Sequence, residues 1–181
     1  MKLLLTSAGI KNASIRDALL DLLGKPIAEC DALCIPTATY GHPLIWVPWV
    51  EAADVQLVNG GDALYLCHRM RESGLTGLLP SLDAVWVGLT AGSTVMTPSV
   101  GEDFVIWQQP GGGDEALGVV DFAIFPHVDN PDLPENTMAT AERWAAGLTV
   151  PAYEIDDETA IRVVDGTADV VSEGRWKLFT R

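Results

Sequence analysis

The sequence predicts an α/β protein whose mainly parallel β-sheet is covered by helices on both faces. Short apolar runs alternate with amphipathic segments along most of the chain, as expected for repeated strand–helix units. Several of these runs are apolar throughout, which is typical of strands buried on both faces. A series of short strands without helices between them follows near the C-terminus and predicts an antiparallel edge. The length of 181 residues predicts one domain over 1–181.

The first half of the chain predicts three strands and two helices. "KLLLTSAG" is a buried strand, and "IRDALLDLLG" is a helix with apolar residues at three- and four-residue steps and Ser14 as its N-cap. "DALCIPTA" (31–38) and "ADVQLVNGG" (53–61) are two further buried strands. The helix "DALYLCHRMRESGL" (62–75) follows, with Asp62 where an N-cap belongs.

The second half continues the alternation and then changes character. "DAVWVGLTAG" is a strand that enters a turn, "STVM" begins a helix, "GVVDFAIFPHVD" (118–129) is a fifth strand, and "NTMATAERWAAG" (136–147) is a helix. The C-terminal strands lie in "VPAYEID", "AIRVVDG" and "ADVVSEGRWKLF". Proline in 39–50 and three glycines in 108–116 predict irregular loops.

Composition excludes several classes of partner. A net charge of -14, without a local cluster of Lys and Arg, argues against nucleic acid binding. Three cysteines, without metal-ligand spacing, predict buried reduced thiols. No apolar stretch approaches the ~20 residues that span a bilayer, and no secretory leader is recognisable, so we expect no membrane association and a cytoplasmic location.

The turn in "VWVGLTAGSTV" is the first candidate for chemistry. A nucleophile at a strand–turn–helix junction needs small neighbours, because the chain must turn sharply and leave backbone N–H groups free for an oxyanion. Gly88, Ala91 and Gly92 provide such neighbours, and Thr90 stands at the position of the nucleophile. A buried strand that ends in a glycine-rich turn is the competing, purely structural explanation.

Three histidines are available as a general base, and His127 has the best placement. It follows the apolar strand "FAIFP", so it should lie at the same sheet edge as Thr90. His42 falls in the proline-rich loop, where it either covers the site or is a surface residue, and His68 falls inside a helix, where a structural role is the simpler explanation. A strand-end histidine bonded to a loop is the alternative for His127.

The remaining parts of a hydrolytic site also have candidates. Glu102 and Asp103, just after the turn, are the acids expected to orient the imidazole, with a solvated acidic loop as the alternative. Gly60 and Gly61 follow a strand and allow close backbone approach, so they predict a second oxyanion donor, or simply a tight turn. Ser7 can face the same crevice, although no sequence feature ties it to a histidine.

The ordered series "TSAG", "IPTA", "ADVQLVNGGDALYLCHRMRESGL", "GLTAGSTVMTPS", "LGVVDFAIFPHVD" and "DETAIRVVDGTADVVSEG" resembles the dipeptidase E (aspartyl dipeptidase) family of serine peptidases, relatives of cyanophycinase. The likeness runs from Lys2 to Gly174. It implies a three-layer α/β/α sandwich akin to class I glutamine amidotransferases. It also implies cleavage of short peptides after an N-terminal aspartate, without a metal or organic cofactor.

Carried over by position, the resemblance assigns roles to individual residues. Thr90 falls on the nucleophile, His127 on the general base, and Glu102 or Asp103 on the third member. The backbone N–H groups of Gly61 and Ala91 would be the oxyanion donors. Arg143 would read the acidic side chain of the substrate, and Gly60 and Asp62 would also border the substrate.

Two departures from the family pattern bear on function. The family carries "SAG" where this chain has "TAG", and the segment between "IPTA" and "ADV" lacks a helix–strand unit that relatives carry. The shorter segment affects the sheet edge and leaves open whether the chain is a monomer or a homodimer. The β-branched Thr90 suits a strained turn poorly. The sequence is therefore compatible with a slow hydrolase. It is equally compatible with an inactive homologue that binds an acidic or peptide-like ligand or acts as an interaction protein. Ser93, one helical turn on, is expected to cap or pack the helix and not to replace the nucleophile.

Overall fold

The computed structural model describes residues 2–35 and 47–180, with the backbone alone for residues 47–49. Most of the predicted loop at 39–50 and the end of the second predicted strand therefore lie outside the described residues. Residues 47–52 form a helix, so the loop prediction is wrong at its C-terminal end.

Nine strands are present in the described part of the chain: β1 (Lys2–Thr6), β2 (Ala32–Ile35), β3 (Val55–Val58), β4 (Val85–Leu89), β5 (Ala123–Phe125), β6 (Ala152–Ile155), β7 (Thr159–Val164), β8 (Thr167–Ser172) and β9 (Trp176–Phe179). The α-helices within the same residues are α1 (Ala13–Leu23), α2 (Val47–Ala52), α3 (Ala63–Ser73), α4 (Leu75–Leu78), α5 (Ala91–Thr94) and α6 (Met138–Gly147).

The main sheet has six strands in the order β2-β3-β4-β1-β7-β8. Strands β2, β3, β4 and β1 are parallel, whereas β7 is antiparallel to both β1 and β8. The prediction of a mainly parallel sheet with antiparallel strands at one edge is confirmed. In the register of β1 and β4, Thr6 lies opposite Leu89, so both strands end at the same edge of the sheet.

Strand β5 corrects the predicted topology, because it does not join the main sheet. It pairs in parallel with β6, and β9 adds to β6 in the antiparallel sense, which gives a separate three-stranded sheet. Phe122 and Ile124 pack in the same apolar cluster as Leu3 and Trp86 of the main sheet. A short apolar run indicates burial but does not tell which sheet the strand joins.

Helices cover the two faces of the main sheet, and β1 shows why its sequence is apolar throughout. Leu4 faces the cluster that contains Ile15 and Leu19 of α1. Leu3 and Leu5 face the other cluster, which contains residues of α3, α4, α5 and the small sheet. Successive side chains of a strand point to opposite faces, so a strand covered on both sides needs apolar residues at every position.

Two local predictions differ from the structure. The N-cap of α1 is Asn12, whose side chain accepts from the N–H of Ile15, because the helix begins two residues earlier than the apolar pattern suggests. All three cysteines are free, but only Cys67 is buried, and Cys34 is exposed because β2 is the edge strand of the sheet.

In the described ranges, no helix is long and apolar enough to cross a membrane.

Candidate active site

The turn between β4 and α5 has the geometry of a nucleophile elbow. Thr90 has φ 47° and ψ -102°, a conformation that is uncommon for a β-branched residue. The glycines on either side permit the turn. A Cβ on Gly92 would lie 2.2 Å from the carbonyl oxygen of Val58, and one on Gly88 would lie 2.4 Å from that of Gly92. Helix α5 therefore packs backbone against backbone on the strands, and the half-buried Thr90 stands at the sheet edge.

The hydroxyl of Thr90 is directed at the imidazole of His127. Oγ1 of Thr90 lies 2.7 Å from Nε2 of His127 and also lies 3.0 Å from the carbonyl oxygen of Ser7. His127 follows β5 by two residues and has φ 60°, another left-handed conformation. The structure thus brings together the two residues that the sequence proposed as nucleophile and base, although β5 belongs to a different sheet.

The acid on the other side of the imidazole is Asp157, in place of Glu102 or Asp103. Its Oδ1 lies 2.7 Å from Nδ1 of His127. Glu102 and Asp103 instead lie in an exposed 3₁₀ turn.

Strand register explains why Asp157 meets His127. Strands β5 and β6 are parallel, with Phe125 opposite Glu154, so His127 and Asp157 emerge from neighbouring strand ends. The sequence analysis missed the second of the two acids that follow the strand "AYEI", because its role could be recognised only once β5 was known to pair with β6.

Two further side chains hold the carboxylate of Asp157. Ser7 donates to Oδ1 at 2.8 Å, and Nδ2 of Asn130 donates to Oδ2 at 2.8 Å. Burial raises the pKa of Asp157, but the hydrogen bonds from His127, Ser7 and Asn130 outweigh burial and hold the pKa below its ordinary value of 3.8. The carboxylate therefore stays ionised at neutral pH and accepts the Nδ1–H, which leaves Nε2 as the acceptor that faces Thr90.

The glycine-rich loop after β3 borders the nucleophile. A Cβ on Gly60 would lie 3.5 Å from Oγ1 of Thr90, so this backbone passes directly beside the hydroxyl. Gly61 has φ 130°, a conformation that favours glycine. Ala91 is the first residue of α5, where N–H groups have no acceptor within the helix. The loop after β3 and the start of α5 are therefore the two backbone segments that flank the hydroxyl of Thr90.

Asp62 and Arg143, expected to border the substrate, have other partners. The two carboxylate oxygens of Asp62 accept from the N–H groups of Tyr65 and Trp107, so Asp62 caps α3 and ties a neighbouring loop to it. Arg143 is exposed on α6, where its guanidinium bonds to Ala139 and Thr140 of its own helix.

The other two histidines lie away from the imidazole of His127 or outside the described residues. His68 packs against the ring of Trp107, and His42 lies outside the described residues. Across residues 2–35 and 47–180, no three His, Cys, Asp or Glu side chains cluster in a way that would hold a metal ion.

The sequence is similar to a known peptidase family and to curated proteins named peptidase E. The model of "Peptidase family S51" matches residues 47–171. Peptidase E of Escherichia coli O1:K1 is 31% identical over 137 residues, which is 71% of this chain and 56% of the relative. Peptidase E of Salmonella arizonae is 30% identical over 132 residues, which is 70% of this chain and 55% of the relative. The chain thus spans about half the length of the curated relatives it matches.

Two solved structures share the fold at low sequence identity. A chain from Listeria monocytogenes EGD-e, described as a candidate peptidase E, superposes with a TM-score of 0.68 at 18% identity, covering 96% of this chain and 98% of that one. A peptidase from an acI-B1 Actinobacterium superposes with a TM-score of 0.71 at 17% identity, covering 99% of this chain and 93% of that one. The match of the family model over most of the sequence, together with these relatives, shows that the chain belongs to peptidase family S51, a family of serine-type peptidases.

Proposed function

We propose that this protein is a peptidase E-like hydrolase that cleaves short peptides after an acidic N-terminal residue, with Thr90 as nucleophile, His127 as base and Asp157 as the orienting acid. These three residues are called the proposed triad below. The single observation that carries the proposal is the pair of 2.7 Å contacts that links Thr90 through the imidazole to Asp157. Membership of a peptidase family supplies the reaction class.

The chemistry follows the usual order for a hydroxyl nucleophile. Oγ1 of Thr90 attacks the scissile carbonyl carbon while its proton moves to Nε2 of His127. The N–H groups of Gly61 and Ala91 would hold the oxygen of the tetrahedral intermediate. Nε2 then gives its proton to the departing amine, which leaves an ester on Thr90. Water, deprotonated by the same nitrogen, hydrolyses this ester and restores the threonine hydroxyl.

Threonine at this position costs rate but does not prevent the reaction. The hydroxyl has nearly the intrinsic nucleophilicity of serine, whereas the methyl group occupies space that the substrate or imidazole must approach. A residue held at φ 47° is strained by ~1–3 kcal/mol, and surrounding contacts must compensate. The N–H of Thr90 donates to the carbonyl of Ser7 at 3.2 Å, which supplies part of that compensation.

Specificity for an acidic residue requires a cation at the substrate, and Arg143 is our candidate. The proposal is supported by the family resemblance and by the exposure of Arg143 on α6, where, among the described residues, its guanidinium bonds to its own helix at 3.2–3.4 Å. In a chain of net charge -14, a cation that favours an acidic peptide has to act at short range.

The decisive experiment compares three forms of the enzyme on Asp-X dipeptides and a chromogenic aspartyl amide. Thr90→Ala should abolish hydrolysis, because no nucleophile remains. Thr90→Ser should retain or increase the rate, because it keeps the hydroxyl and removes the methyl group. Equal rates for wild type, Thr90→Ala and Thr90→Ser would refute the assignment of Thr90.

A second candidate function rests on the same threonine. If the methyl group blocks attack, the protein is a homologue that binds a peptide-like or acidic ligand without turnover, or acts as an interaction protein. Wild type would then show no rate above blank, and Thr90→Ser would restore hydrolysis because His127 and Asp157 are already aligned. We favour the enzyme, since base and orienting acid would serve no purpose in a pure scaffold.

A further inference from the structure

Ser7, the residue that follows β1, lies against the proposed triad and is fully buried. Its Oγ accepts from the backbone N–H of His127 at 2.9 Å and donates to Oδ1 of Asp157 at 2.8 Å. The same oxygen lies 3.0 Å from Nδ1 of His127. One hydroxyl therefore contacts the base at both its main chain and its ring, and also contacts the orienting acid.

The main chain of Ser7 completes this set of contacts. Its carbonyl oxygen accepts from the N–H of Thr90 at 3.2 Å and lies 3.0 Å from Oγ1 of Thr90, so it is the alternative acceptor, beside Nε2 of His127, for the one hydroxyl proton. Ser7 is thus bonded to the nucleophile through its carbonyl group and to the base and acid through its side chain. The two roles are separable, because replacement of the side chain leaves the carbonyl in place.

The protons on Ser7 and His127 can be placed in one hydrogen-bonding arrangement that satisfies Asp157. Asp157 is ionised and only accepts, so the Ser7 hydroxyl proton and the Nδ1–H proton of His127 both point to its Oδ1. The lone pairs of Ser7 then receive the N–H of His127. If the ring instead carried its proton on Nε2, Nδ1 and the carboxylate would face each other as two acceptors at 2.7 Å. The cluster therefore favours the tautomer in which Nε2 is free to take a proton from Thr90.

The bond to the N–H of His127 has a second consequence. His127 adopts φ 60°, which is uncommon outside glycine and must be held by its surroundings. The Ser7 hydroxyl fixes the backbone of this residue and, through Asp157, the plane of its ring. Loss of the hydroxyl would leave the partly buried N–H of His127 without this acceptor and would let the ring rotate away from Oγ1 of Thr90.

We propose that Ser7 is the positioning residue of this site: its buried hydroxyl holds His127 and Asp157 in the reactive arrangement, while its carbonyl holds Thr90. The inference rests on the proposed function for its effect on rate. The effect of Ser7 on the tautomer and orientation of His127 can be measured without any turnover.

Ser7→Ala tests the side chain, and Ser93→Ala is the matched control. Ser93 is equally buried and donates at 2.8 Å to the carbonyl of Thr6, on the same strand, but its side chain has no bond to the proposed triad. For Ser7→Ala we expect kcat to fall about 10- to 100-fold, as for a misplaced general base, with KM changed less than about threefold. Ser93→Ala should keep kcat within about threefold of wild type.

Nuclear magnetic resonance of ¹⁵N-histidine-labelled protein provides the readout that does not depend on turnover. The chain has three histidines, so the spectrum is simple to assign with a His127→Gln variant. In wild type and Ser93→Ala we expect a protected Nδ1–H resonance and one tautomer for His127. In Ser7→Ala this resonance should broaden through exchange, and the ring nitrogens should report a mixture of tautomers.

The outcomes separate the two proposals. Unchanged His127 signals in Ser7→Ala overturn the positioning role, whatever the rate. Altered signals in a protein that hydrolyses no peptide support Ser7 and count against the proposed function alone. If Ser7→Ala does not fold, Ser7→Cys retains the shape with a weaker donor, and it should give intermediate signals; wild-type signals in Ser7→Cys would then overturn the proposal.

Discussion

Oδ1 of Asp157 lies 2.7 Å from Nδ1 of His127, and the two residues follow adjacent parallel strands of the smaller sheet. The proposed base and its proposed orienting acid therefore come from one sheet, while Thr90 comes from the end of β4 in the other. The proposed triad bridges the two sheets, and Ser7 connects them through hydrogen bonds to both sides.

Replacement of Asp157 tests its role against that of the acids first considered. Asp157→Asn should lower kcat by about 10³- to 10⁴-fold, because an amide cannot hold the imidazole in the same tautomer. Glu102→Gln and Asp103→Asn change exposed carboxylates of the 3₁₀ turn and should leave kcat within about threefold of wild type. The measurement is kcat for steady-state hydrolysis of an Asp-X dipeptide by each variant. A large loss of kcat in Glu102→Gln or Asp103→Asn, in place of Asp157→Asn, would contradict the assignment of Asp157.

Arg143→Ala tests the proposed reading of the acidic side chain. Loss of a cation at the substrate should lower kcat/KM for Asp-X peptides by about tenfold or more, with little change for Leu-X peptides. Arg16→Ala, which removes an exposed arginine of α1, controls for the change in net charge. The proposal is falsified if Arg143→Ala and Arg16→Ala affect both peptides equally.

Gly92→Ala tests the close packing beneath the elbow. A Cβ at this position meets the backbone of Val58, which has no side-chain freedom with which to give way. We expect the free energy of unfolding to fall by about 2–3 kcal/mol or more, together with a loss of activity. Gly77→Ala is the control, since a Cβ there meets no atom within 4 Å, and it should be neutral or slightly stabilising. Equal unfolding midpoints in urea for the two variants would contradict the packing argument.

Glu154 should make stability depend on pH. This carboxyl is fully buried in β6, and neither oxygen has a hydrogen-bond partner among the described residues. Burial, and next the charge of Asp129, raise its pKa from 4.5 to about 7. The folded state keeps the proton that the unfolded chain releases, so the contribution is complete below pH 4.5 and is lost as pH rises towards 7, by about 3 kcal/mol.

The Glu154→Gln variant isolates this effect because its side chain does not titrate. The difference in free energy of unfolding between variant and wild type should shift in favour of the variant by about 2–3 kcal/mol between pH 4.5 and 8. Charges near Glu154, including Lys177, Glu142 and Asp156, are the same in both proteins and cancel in the difference. A difference that stays constant with pH would show that Glu154 does not titrate in this range.

Local patterns in the sequence were sufficient for several features of the site. The strand–turn–helix around Thr90 could be predicted because glycine and alanine flank a buried apolar strand, and Asp62 could be recognised as the cap of α3. The placement of His127 at a strand end was also readable. Each of these features depends on residues within a few positions of one another.

The partners of His127 were decided by the tertiary structure. Asp157 is 30 residues from His127, and Ser7 is 120 residues away, so neither distance could follow from spacing along the chain. Their meeting depends on the parallel pairing of β5 with β6 and on the position of that small sheet beside β1. The buried strands and the turn that can expose a hydroxyl were readable from the amino-acid order alone, because those properties arise from local apolarity and backbone sterics. Only the folded structure determined which carboxylate and which serine reach the imidazole, because non-local strand pairing places them there.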